Sequence, residues 1–174
     1  MDHLRYPIGK YEAQPFSQRQ KEKWLADLRF LPDELEAAIN NLDEAQFNTP
    51  YREGGWTVTQ VVHHVADSHM NAYTRFKLGL TESNPTIKPY EEGEWAQLED
   101  VQTIATNVSV TLLYALHQRW VAAIQHLTDE QWDRTVVHPA QNERLSLWYL
   151  LGSYAWHGKH HVAHITSLRE RMKW

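Results

Sequence analysis

The segment from Leu147 to Met172 constrains this chain more than any other, because it is helical by pattern and yet carries histidines where the pattern asks for apolar residues. At about 100° per residue, Leu147, Leu150, Leu151, Tyr154, His157, Gly158, His161, Ile165, Leu168 and Met172 share one face. Such a stripe has to face a core. The chain must therefore fold around a helix whose inner face includes the imidazoles of His157 and His161. His164 lies at the margin of the stripe, and His160 points about 100° away from His161.

An imidazole facing a hydrophobic core is unfavourable unless its nitrogens find partners. One solution is a pair of core histidines bonded to backbone, buried water or other side chains. The other is a metal ion, because residues at i and i+4 stand one above the other and can converge on a single ion. That second solution needs a third ligand from elsewhere. The chain has no cysteine, so the ligand must be histidine or carboxylate, and disulfides and thiolate nucleophiles are excluded.

The 174 residues, 42% of them hydrophobic, suit one domain spanning 1–174. A net charge of −5 provides no footprint for nucleic acid. Met1 to Tyr11 is polar and interrupted by Pro7, with no signal-peptide core, and no later run is apolar enough to span a membrane. A cytoplasmic protein without membrane partners is expected.

Apolar spacing predicts a first helix from about Ser17 to Asn41, kinked or restarted at Pro32. Thr57 and Gln60 form a capping-box pattern for a second helix reaching about Leu78, which carries His63, His64 and His69. The stretch from Thr81 to Asp100 is rich in Pro, Gly and acid and is expected to be a long connection. A third helix is expected from Val101 to Leu127, with Leu112, Leu113, Leu116 and Trp120 on its apolar side. Thr128 and Gln131 repeat the capping-box pattern, a loop with Pro139 and Asn142 follows, and Ser146 is the natural N-cap of the last helix.

The two halves are weakly alike. Leu42-Asp43-Glu44-Ala45-Gln46-Phe47 corresponds to Leu127-Thr128-Asp129-Glu130-Gln131-Trp132, and each leads to a helix with paired histidines. Two related helical hairpins joined by the long connection, with a site between the second and fourth helices, are the expected architecture. Periodicity alone does not choose the third ligand: His69 is central on the second helix's stripe and His64 lies near its edge.

In the residues Gly55 to Asn71, in Pro50-Tyr51-Arg52, in Trp156-His157 with His161-Val162-Ala163-His164-Ile165, and in Tyr6-Pro7-Ile8-Gly9, the chain resembles the DinB-like proteins of the YfiT type. The resemblance spans essentially the whole chain. It implies an all-α four-helix bundle of unusual connectivity, with a long crossover between the second and third helices. It also implies one divalent metal ion, zinc or nickel, held by His64 and by the His-x-x-x-His pair His157 and His161. His160 and His164 share the i, i+4 spacing on a less apolar face and are candidates, with Asp67, for supporting bonds or proton transfer.

Three neutral imidazoles leave an ion its full charge and an open position, the pattern of catalytic sites. Such a site activates either water or a thiol. The resemblance accordingly implies a metal-dependent hydrolase or a thiol S-transferase using a low-molecular-weight thiol such as bacillithiol. Arg75, Asn71 and Tyr154 are candidate pocket residues, each with an ordinary structural role as the alternative. His-Glu-x-x-His, paired Glu-x-x-His, Gly-x-Ser-x-Gly and phosphate-loop motifs are all absent. A non-catalytic metal-stabilised module is the alternative function. A homodimer is expected, with Trp95 and Trp132 as candidate surface residues.

Overall fold

The computed structural model describes residues 2–140 and 143–174; Asn142, assigned above to a loop, lies outside the described residues. In chain order the elements are α1 (Asp2–Arg5), α2 (Gln18–Ile39), α3 (Glu44–Phe47), α4 (Val58–Thr81), α5 (Glu92–Trp95), α6 (Glu99–Thr103), α7 (Thr106–Ile124), α8 (Asp129–Trp132), β1 (Thr135–His138), β2 (Glu143–Ser146) and α9 (Leu147–Met172). The long helices α2, α4, α7 and α9 form a four-helix bundle. Each begins after a residue with extended backbone, and Ser17, Thr57 and Ser146 cap theirs by accepting a backbone N–H three residues on. Thr57 and Gln60 complete the capping box.

The halves repeat as the sequence suggests. Each has a long helix, then a four-residue helix closed by a capping box, Asp43 with Gln46 in α3 and Thr128 with Gln131 in α8, and then a second long helix. They are not self-contained hairpins, however. α2 packs chiefly on α9 and α7, and α4 on α7 and α9, so the two long helices of each half stand diagonally and the halves interlock. The burial that stabilises one half is supplied by the other.

Several local expectations change. α2 runs unbroken through Pro32. α7 starts at Thr106 rather than Val101, because Ile104 is extended and turns its carbonyl to the ring of His63. Leu112 points outward, 40% exposed. The connection after α4 contains α5 and α6, and Ile87 is buried in it. A short antiparallel hairpin, β1 with β2, replaces the expected loop before α9, paired from Thr135 with Ser146 to His138 with Glu143. Its burial centres on Val136, which is too small a patch to show as alternation. Trp132 is fully buried, edge-on to Trp148, and cannot serve a partner surface.

The core has two apolar clusters. One gathers Trp24, Leu28, Phe76, Trp120 and Leu151; the other gathers Leu31, Leu35, Val61, Val65, Leu113 and Ile165. On every long helix the boundary falls in mid-length, and on α9 it falls between Ala155 and Val162. Here α9 comes so close to α2 that a Cβ on Gly158 would lie 2.6 Å from a methyl of Leu31. The outer face of α9 is covered as well. The arm before α2 runs along it in the opposite direction: Arg5 O accepts from His164, Gly9 O from Trp156 and Gln14 O from Trp148.

Candidate metal centre

α4 and α9 pack directly against each other, and His64 from the first meets His157 and His161 from the second. One ring nitrogen from each can be chosen so that all three lie within 4.8 Å of one another. The Nε2 atoms of His64 and His157 are 3.2 Å apart. Two ligand nitrogens at about 2.0–2.1 Å from a tetrahedral zinc stand roughly 3.3 Å apart, so this pair already has the spacing of a ligand edge.

The surroundings keep the rings neutral, the form that ligates. Burial pushes His64 down to about 4, with the neighbouring His164 adding to it. His157 and His161 are lowered well below the ordinary value, first by burial and then by the adjacent imidazoles. No carboxylate lies within salt-bridge distance of the three rings among the described residues. His161 is held from behind: His164 Nε2 donates to Arg5 O at 3.0 Å, so its Nδ1 is an acceptor and takes the Nδ1–H of His161 at 3.3 Å. The Nε2 of His161 is thereby left bare. The donor set fits a divalent metal ion.

Walls and access come from other segments. Trp56 packs against His64 at 4.5 Å between ring centres, and Tyr51 stacks on His164 at 3.9 Å. A depression of about 300 Å³ opens onto all three rings, with Arg5, Arg52 and His160 in its wall. His157 also borders a second depression of about 330 Å³, lined by Arg75, Tyr90 and Tyr154.

The remaining candidates separate clearly. His160 and His164 are buried, 7% and 2% exposed, because the arm covers the face that sequence periodicity leaves outside. His160 stacks on Trp156, burial brings it to about 4, and its Nδ1 has no partner among the described residues. Asp67 borders neither depression; burial, then the charge of Asp100, pushes it up to about 6. Arg75 donates to Tyr154 Oη at 2.6 Å and to Lys88 O at 3.1 Å, while Asn71 bonds back to Asp67 O. His69 is fully buried and outside the trio, bonded to His157 and to His117. His117 escapes the sequence reading, although Leu113, His117, Trp120 and Ile124 share helical spacing that places it inward.

The sequence pattern of the DinB superfamily matches residues 27–165. The chain belongs to the DinB superfamily. Within it, the chain is 51% identical to a relative from Bacillus cereus and to one from Bacillus thuringiensis subsp. konkukian, with both members of each pair covered in full. Both relatives are provisionally named metal-dependent hydrolases. The solved structure of YfiT from Bacillus subtilis superposes with a TM-score of 0.96 at 49% identity over 99% of each chain. YfiT is described, short of proof, as a metal-dependent hydrolase with an unusual four-helix bundle topology.

Proposed function

We propose that this DinB-superfamily protein is a metal-dependent hydrolase whose ion is held by His64, His157 and His161. The observation that carries the reading is the convergence of three neutral imidazoles at the floor of an open depression. A divalent ion there supplies Lewis acidity, polarising a substrate carbonyl or lowering the pKa of water toward neutrality.

The chain's own residues supply the rest. Trp56 and Tyr51 wall the floor and limit the water around it. Arg5 and Arg52 offer positive charge at the mouth to an anionic group on a small-molecule substrate. Of the three proton-transfer candidates, His160 lines the mouth and is neutral at pH 7; its Nδ1 is buried without a partner among the described residues, so the proton it accepts from the mouth goes to Nε2. His164 is committed to Arg5 and His161, and Asp67 lies apart.

Transfer of a low-molecular-weight thiol is the second reading. The second depression favours it, since His157 borders both and a two-substrate reaction needs two approaches. Cytoplasmic location and homodimerisation through the exposed Trp95 surface belong to the same reading; among the described residues no helix is long and apolar enough to cross a membrane.

The test is a parallel screen of zinc- and nickel-loaded protein on ester and amide panels and on thiol-plus-electrophile pairs. Metal-dependent hydrolysis that vanishes in His161→Ala and falls at least tenfold in His160→Gln supports the first reading. Thiol conjugation without hydrolysis supports the second. Bound metal with no turnover on either panel leaves a metal-stabilised helical module.

A further inference from the structure

We propose that Leu28 O, His117 and His69 form a one-way hydrogen-bond chain, called for by Pro32, that decides which nitrogen His157 offers to an ion, so that His69 and His117 are positioning residues of the centre. The inference rests on the three-histidine reading above. It begins at Pro32, in the middle of α2.

Proline has no N–H, so the carbonyl four residues earlier, Leu28 O, has no helical donor. A buried carbonyl left so is costly. His117 from α7 meets the need: its Nδ1 makes a short hydrogen bond to Leu28 O. A carbonyl only accepts, so Nδ1 of His117 carries the hydrogen. A neutral imidazole has one donor and one acceptor, and Nε2 of His117 is therefore the acceptor.

The same step repeats twice. His69 Nδ1 lies 2.8 Å from His117 Nε2 and must donate, which makes its Nε2 an acceptor. His157 Nδ1 lies 3.1 Å from that atom and donates in turn. The Nε2 of His157 is left with its lone pair. That nitrogen is the one that faces His64 Nε2 at 3.2 Å.

Reversing the chain would require Leu28 O to donate, which it cannot do. An extra proton would have to reside on a ring without a carboxylate, and His69 and His117 are 0% and 1% exposed. The chain also accounts for a layer that the fold otherwise leaves without purpose. The carbonyl of Leu28 and the rings of His117, His69 and His157 sit where the two apolar clusters meet, one on each long helix. A polar layer through a core is tolerated when every member is satisfied, and here each ring nitrogen has a partner. Hydrogen bonds behind a ligating histidine fix its ring and raise its basicity, and losing them lowers metal affinity by about 10–100-fold.

The test joins histidine nitrogen NMR with zinc affinity measured by chelator competition. In metal-free wild-type protein His157, His69 and His117 should each show protonated Nδ1 and unprotonated Nε2, and in zinc-loaded protein the same pattern with His157 Nε2 shifted as a metal-bound nitrogen. His69→Leu should weaken zinc binding by about 10–100-fold. His69→Gln, whose amide oxygen can take the Nδ1–H of His157, should recover much of that loss. A folded His69→Leu protein with wild-type affinity overturns the proposal, as does His157 protonated at Nε2. The NMR arm reads the wild type without metal, so it decides the chain even if His69→Leu fails to fold. Wild-type protein that takes no zinc yet shows the expected tautomers would refute the metal reading and not the hydrogen-bond chain.

Discussion

On the core side of the centre, His157 leans on His69 and His117 and the contacts end at Leu28, deep in a 22-residue helix. On the solvent side, His161 leans, among the described residues, on His164 alone, and the contacts end at Arg5, the last residue of a four-residue helix in the arm. Both arrangements present Nε2 inward, yet their anchors differ in kind. The first is locked by packing from three long helices and by Trp120, which meets His69 and His117 edge-on. The second depends on a strap whose hold on α9 is a handful of hydrogen bonds and aromatic contacts. One ring is fixed by the core of the bundle and the other by the arm laid along the outer face of α9.

The largest expected effect is acid sensitivity, because both sides rest on neutral imidazoles. His64, His117 and His160 are brought to about 4 by burial, against about 6.5 when exposed. Between these values the unfolded chain binds more protons than the folded one, so stability is full above pH 6.5 and is lost as pH falls toward 4. Urea unfolding across this range should show a loss on the order of several kcal/mol, and a flat profile would mean that the rings are not buried as described.

Next come variants that separate the sides. His117→Leu leaves Leu28 O and the Nδ1–H of His69 without partners and should cost about 2–4 kcal/mol in urea unfolding. His164→Leu leaves the Nδ1–H of His161 without its partner while Arg5 O turns to water, and should cost about 1–2 kcal/mol. Equal losses would erase the distinction between a core anchor and a strap. The smallest effect has the opposite sign. Asp67 is raised to about 6 by burial and by Asp100, so its charge opposes folding above that pH and ceases to do so below the ordinary carboxylate range. Asp67→Asn should stabilise the protein at pH 7.5 by about 1 kcal/mol or less, and the gain should fade below pH 5.

The long helices were legible because Leu, Val and Trp recur at three and four residues and because Ser17, Thr57 and Ser146 are strong caps. The histidines on α9 were legible as an anomaly within that stripe. What sequence could not supply is what packs on what. The diagonal arrangement of the halves has no local signature, and neither has the arm that buries His160 and His164. Thr135-Val136-Val137-His138 is too short to display a strand's period, and Trp132 gives no sign in its neighbours of being inside. The choice between His64 and His69 stayed open on periodicity because both face inward: one joins the trio, and the other stands behind it.

The central claim is that an ion is held by this trio, and metal stoichiometry tests it most directly. Protein purified without a histidine tag, loaded with zinc or nickel and desalted, would be measured by elemental mass spectrometry for wild type, His157→Ala and His160→Ala. The account predicts about one ion per chain in wild type and in His160→Ala and almost none in His157→Ala. No ion in wild type, or equal loading of His157→Ala, would contradict it.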